Sequence, residues 1–129
     1  MNNKTGLKIP ALVSTDVLVI SLSPLTRIEE EQISAMRLAS KRNFKSRYDL
    51  AIRGMLIHFL KYGYDVAEGK IHTAFRQYLT KVGGLSNDDA GHIIRSRHDF
   101  KYSGKNPDEL ATYLLEKILY GMDLEKNNI

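Results

Sequence analysis

The stretch FKSRYDLAIRGMLIHFLKY, residues 44–62, decides the fold. Phe44, Tyr48, Ala51, Met55, Phe59 and Tyr62 recur at spacings of three and four, the period of one face of an α-helix. Ile52, Leu56, Ile57 and Leu60 widen that apolar face until the predicted helix must be buried on more than one side. Gly63 follows as its stop, being the residue that most easily leaves a helix through positive φ. A helix of this kind needs neighbours, and the flanking sequence supplies them.

Upstream, Ser23-Pro24 marks the start of a helix running to about Arg42, because proline is tolerated at the first helical position. Thr26-Arg27-Ile28-Glu29 resembles a capping box, and Glu29, Glu30 and Glu31 suit the positive end of the dipole. Downstream, Val66–Val82 places Ile71, Ala74, Phe75, Tyr78, Leu79 and Val82 in helical register, and Gly83-Gly84 ends the run. Ser86 is the expected N-cap of a fourth helix, with Asp88 and Asp89 in its first turn and Ala90, Ile93 and Ile94 facing inward. Asn106-Pro107 opens a fifth, in which Leu110, Leu114, Leu115, Ile118, Leu119 and Met122 repeat helically. Short connections favour antiparallel neighbours, so the predicted fold is all-α, an up-and-down helical bundle of about five helices.

Residues 1–23 read differently, with Val13, Val17, Val19 and Ile20 set among Ser and Thr. This β-leaning composition leaves a short strand, an arm on a partner and a poorly formed helix all open. The organisation expected is an N-terminal arm over 1–23 and a helical bundle over 24–129.

At 129 residues the chain suits one domain with one core. It has no Cys, which excludes disulfide staples, Cys-ligated zinc and thiol catalysis. The four His residues lack the helical spacing of metal ligands, and no P-loop, G-x-S-x-G or G-x-G-x-x-G occurs. No metal and no cofactor is therefore expected. No run of about 18 apolar residues exists, and the first residues lack the form of a secretory signal. The expectation is no membrane association and a cytoplasmic location.

The net charge of +4 is unevenly spread. Residues 37–53 carry a local balance of +5 and include Arg47, while the stretch from His92 to Lys105 holds Arg95, Arg97, Lys101 and Lys105 against Asp99 alone. After Pro107 the sign reverses. Converging basic stretches would form a cationic surface suited to phosphates, with Arg47, Arg95, Lys101 and Lys105 as candidate contacts. Arg97 stands where the inward face of Ala90, Ile93 and Ile94 calls for an apolar side chain. Its guanidinium can bridge a carboxylate, brace a dimer seam or reach a phosphate bidentately. Tyr102, near the helix end, is expected to share a groove with Arg97. His72 falls on a stripe with Glu68 and Arg76, a polar flank or interface network.

The order Ser46-Arg47-Tyr48-Asp49-Leu50-Ala51, a helix closing at Gly63, His72 with Phe75, Gly84-Leu85 and Arg97-His98-Asp99-Phe100-Lys101-Tyr102 resembles HEPN domains (higher eukaryotes and prokaryotes nucleotide-binding). The resemblance covers about Phe44 to Met122. It implies a helical bundle that usually forms a homodimer, with the arginine-bearing helices of two protomers lining a cleft for RNA or nucleotide. Active members are metal-independent ribonucleases with an R-x4-6-H motif. Here Arg97 matches the arginine and His98 the polar residue after it, while Tyr102 stands where the catalytic histidine is wanted. The chain thus looks like the R-x4-Y branch, similar to small HEPN proteins encoded beside nucleotidyltransferases, which implies a toxin-antitoxin or defence partner of that type. Tyrosine, with an unperturbed pKa near 10, is a poor proton shuttle at neutral pH, so binding is expected over cleavage. The alternatives are a ribonuclease using Arg97 with His98 or Tyr102 as catalytic groups, and a structural helical adaptor.

Overall fold

The computed structural model describes residues 15–122. Among them five α-helices form a bundle: α1 Pro24–Ala39, α2 Phe44–Lys61, α3 Ile71–Gln77, α4 Asn87–Ser103 and α5 Glu109–Met122. Ahead of the helices a 3₁₀ turn, Thr15–Val17, leads into β1, Leu18–Ile20. This strand pairs antiparallel with β2, Tyr64–Val66, in the register Leu18↔Val66, Val19↔Asp65 and Ile20↔Tyr64. The architecture is the helical one expected from the sequence, with a two-stranded ribbon added. Part of the N-terminal segment is therefore a strand seated on its own bundle. The rest of the expected arm, 1–14, and the acidic tail from Asp123 onward lie outside the described residues.

α2 is the axis of the core. Its Leu50, Ala51, Met55 and Phe59 have no exposed surface, and Phe75, Leu79, Ile93 and Leu115 of the other helices join them in one cluster. Each such large side chain contributes about 1.5–3 kcal/mol by leaving water. Asn43 starts the helix by accepting a hydrogen bond from the Ser46 N–H at 2.9 Å. Gly63, at φ +89°, turns the chain into β2.

A chain of charges fastens α1 to this axis. Glu31 of α1 is buried, and its carboxylate accepts from Arg27 Nη1 at 2.9 Å and from Arg53 Nη1 of α2 at 2.7 Å. Arg27 also reaches Asp65 of β2 through Nε at 2.8 Å. Burial alone would push the Asp65 carboxyl up, but its bonds from Arg27 and the Val66 N–H hold it below the usual range. A buried carboxylate survives only with such partners, so Glu31 is explained by Arg27 and Arg53. The capping box expected at Thr26–Glu29 does not form. The helix begins earlier, at Pro24, and Ser23 makes no side-chain cap.

α1 stops at Ala39, short of Arg42, and both ends of α3 differ from the sequence pattern. α3 starts at Ile71, because Val66 is taken by the strand pair and Gly69 turns the chain at φ +77°. Beyond Gln77 the helix widens into a π turn, Tyr78–Val82, closed by the Gly83 N–H donating to the Tyr78 carbonyl at 2.9 Å. α4 is capped as expected at Ser86, whose Oγ accepts from the Asp89 N–H at 3.0 Å, and its other end is closed by Gly104 at φ +68°. α5 begins just after Pro107, with the Asp108 carboxylate accepting from the Ala111 N–H at 2.9 Å. No helix among the described residues is long and apolar enough to cross a membrane.

Candidate functional site

Three helices meet at Tyr48. The wide apolar face of α2 buries its ring, which meets Phe75 of α3 edge-on at 5.1 Å between centroids. Its hydroxyl lies 3.2 Å from His72 Nδ1 on α3, and the Arg97 guanidinium of α4 lies over its ring, Cζ 5.7 Å from the centroid. Burial pushes the Tyr48 hydroxyl well above its ordinary pKa, and the neighbouring Arg97 charge only partly opposes this. The hydroxyl therefore stays protonated and donates to His72 Nδ1, which puts the proton of a neutral His72 ring on Nε2.

Arg97 is where the helical period asks for an apolar residue, and among the described residues the structure gives it an aromatic face and no carboxylate. Its Nε is buried without a hydrogen-bond partner, and among the described residues no carboxylate pairs with the guanidinium. Contact with a tyrosine face is worth about 0.5–2 kcal/mol. An unsatisfied buried donor costs about 1–3 kcal/mol. The two effects nearly cancel, so fold stability does not account for an arginine here.

Farther along the same seam a second cationic group forms. α3 and α4 run past one another, so Arg76, one turn beyond His72, reaches the start of α4, where its Nη2 donates to the Asn87 carbonyl at 3.3 Å. A Cβ on Gly91 would lie 3.1 Å from Arg95 Nη1 and 3.2 Å from Arg76 Nη2. Both guanidiniums thus rest over one glycine. Neither pairs with a carboxylate among the described residues. In water two such charges repel by only about 1 kcal/mol at 4 Å, and a shared anion turns that repulsion into attraction.

The helical advance of about 100° per residue puts Gly91, Arg95, His98 and Tyr102 on one stripe of α4. His98 and Tyr102 stack there with centroids 4.6 Å apart, and Lys101 Nζ stands 5.2 Å over the Tyr102 ring. Tyr102 is exposed, whereas Arg97 turns inward to Tyr48. The groove expected to hold Arg97 and Tyr102 together does not form, because five residues separate them by about 140° around the helix. For the same reason His98 does not join Arg97.

Other expected contacts are also redistributed. Arg47 is buried, with Nε and Nη2 in a bidentate bond to Glu116 of α5 at 2.7 and 2.8 Å and Nη1 donating to the Ala39 carbonyl at 3.2 Å. It braces α1, α2 and α5 and is not a phosphate contact. Lys105 sits in the loop after α4 beside Asp108, whose carboxyl is held low by the Ala111 N–H first, then by His92 and Lys105. Glu68 lies in the turn before α3, so the predicted stripe of Glu68, His72 and Arg76 is reduced to the last two, each with a different partner. No group of three or more His, Cys, Asp or Glu able to hold a metal occurs among the described residues. Two participants carry no binding signal in the sequence. Tyr48 belongs to the apolar stripe of α2, where nothing marks its hydroxyl; Gly91 stands one turn before Arg95 and gains meaning only when α3 lies across it. Compared with protein-family models, curated proteins and solved structures, the chain finds no match.

Proposed function

We propose that the protein binds RNA phosphates along the seam of α3 and α4 and does not itself cleave the strand. The observation that carries this reading is Arg97, a guanidinium held on Tyr48 with a buried Nε and no carboxylate among the described residues. Such a group is stabilised when a phosphate completes its hydrogen bonds bidentately. Arg76 and Arg95 continue the cationic line, and the stacked His98 and Tyr102 offer aromatic faces to unpaired bases. Cleavage would need an imidazole poised beside the held phosphate. The one linked to Arg97 is His72, whose Nδ1 is engaged by Tyr48.

The test is fluorescence anisotropy with a labelled single-stranded RNA in EDTA. Arg97→Ala and the double variant Arg76→Ala/Arg95→Ala should each weaken binding about tenfold or more, while Lys41→Ala, which removes one charge from the loop between α1 and α2, should not. Intact RNA after incubation is the expected companion result. Equal affinity in all four proteins would refute the reading. A specific competing occupant is a carboxylate from a protein partner, a second copy of the chain included. In that case Arg97→Ala changes the sedimentation of the complex and leaves RNA affinity as it was.

A further inference from the structure

A second concavity, of about 430 Å³, lies between α2, the π turn and α5, and among the described residues its lining contains no carboxylate. It lies within the size range of small-molecule sites. Its polar centre is a pair: His58 Nδ1 and the Tyr78 hydroxyl are 2.7 Å apart. Burial, reinforced by Lys61, pushes the His58 pKa down, and burial pushes the Tyr78 hydroxyl up to about 12, so both are neutral near pH 7. The hydroxyl then donates to Nδ1 and leaves the Nε2–H of His58 as a donor. Lys61 and Lys117 also line the cleft, one from α2 and one from α5, and neither forms an ion pair among the described residues. Ile57, Val82 and Ile118 form apolar wall.

The backbone is shaped around this space. The π turn brings Tyr78, Val82 and Gly83 to the same cleft, and such wide turns recur at functional sites. At Gly83 a Cβ would come 2.8 Å from the Leu79 carbonyl oxygen and 2.7 Å from Ile118 Cδ1, so glycine avoids a clash with the backbone of its own turn and lets Ile118 pack against it. Gly121 also lines the cleft, and a Cβ there would meet nothing within 4 Å.

We propose that this cleft binds a small amphiphilic anion, its charged head between Lys61 and Lys117 and a short apolar body along Ile57, Val82 and Ile118. The site is separate from the seam of α3 and α4 and stands or falls independently of the RNA reading. The test is an NMR titration of the full chain with octanoate, with 1-octanol and acetate as the uncharged and headgroup-only controls. Octanoate should give saturable shifts at the His58 ring and the Gly83 and Gly121 amides, with both controls about tenfold weaker. Lys61→Gln/Lys117→Gln should lower octanoate affinity about tenfold and leave octanol unchanged. Gly121→Leu, which fills open space, should keep the thermal midpoint and abolish binding. The proposal is overturned by the absence of saturable shifts at these residues, or by unimpaired octanoate binding in a folded Gly121→Leu variant.

Discussion

A guanidinium lying on an aromatic ring, with one N–H buried and without an acceptor among the described residues, costs the fold about as much as it returns. Replacing Arg97 by methionine keeps an unbranched chain over Tyr48 and removes the orphaned donor. Urea unfolding of Arg97→Met should therefore give a stability unchanged or raised by about 1 kcal/mol, alongside the loss of RNA affinity. A fall of about 3 kcal/mol would instead mark Arg97 as one half of a buried ion pair. The residue was legible in the sequence, because the period of Ala90, Ile93 and Ile94 calls for an apolar side chain at 97. What it touches was not, since Tyr48 belongs to a helix whose placement depends on the whole core. Arg47 shows the converse: it read as surface charge and is buried on Glu116, a pairing that joins helices distant in sequence.

α2 connects every other feature, and two predictions concern its junctions. Arg47 is buried while Glu116 keeps one side in water, so Glu116→Ala takes the bidentate carboxylate from a buried guanidinium and should cost about 2–3 kcal/mol, measured by urea unfolding. A matched change at the exposed Lys45–Asp49 pair, 3.2 Å apart, should cost under about 1 kcal/mol. At the junction of α2 with the π turn, His58 prefers to be neutral in the fold, whereas the unfolded chain takes up a proton below its ordinary 6.5. Stability should thus decline as pH falls through 6.5 toward the depressed folded value, and His58→Gln should flatten that limb. Tyr78 has the opposite sign of charge change: stability should be lost as pH rises from 10.0 to about 12, where the unfolded tyrosine ionises before the folded one. Helix periodicity revealed α2, α4 and α5 closely. It misplaced the start of α3 because Val66 fits a helical stripe equally well and the strand pairing with Leu18 captured it, a tertiary preference that overrides local pattern.

Across the molecule the formal charge of +4 is partitioned between cations that hold the bundle and cations left available. Arg27, Arg47 and Arg53 are consumed by Glu31, Asp65 and Glu116. Arg76, Arg95 and Arg97 gather on one seam without carboxylates among the described residues. If that seam neutralises RNA phosphates, the logarithm of the binding constant should fall linearly with the logarithm of salt concentration, and each arginine removed should flatten the slope by about 0.7. Lys41→Ala should leave the slope as it is. The sequence by itself determined the helical class, the central helix, the cap at Ser86 and the anomaly of Arg97, because these rest on local periodicity and local hydrogen bonds. Only the tertiary structure decided which arginines are braces and which lie without a carboxylate among the described residues. A charge is read from composition, but its partner is set by which helices the apolar faces bring together.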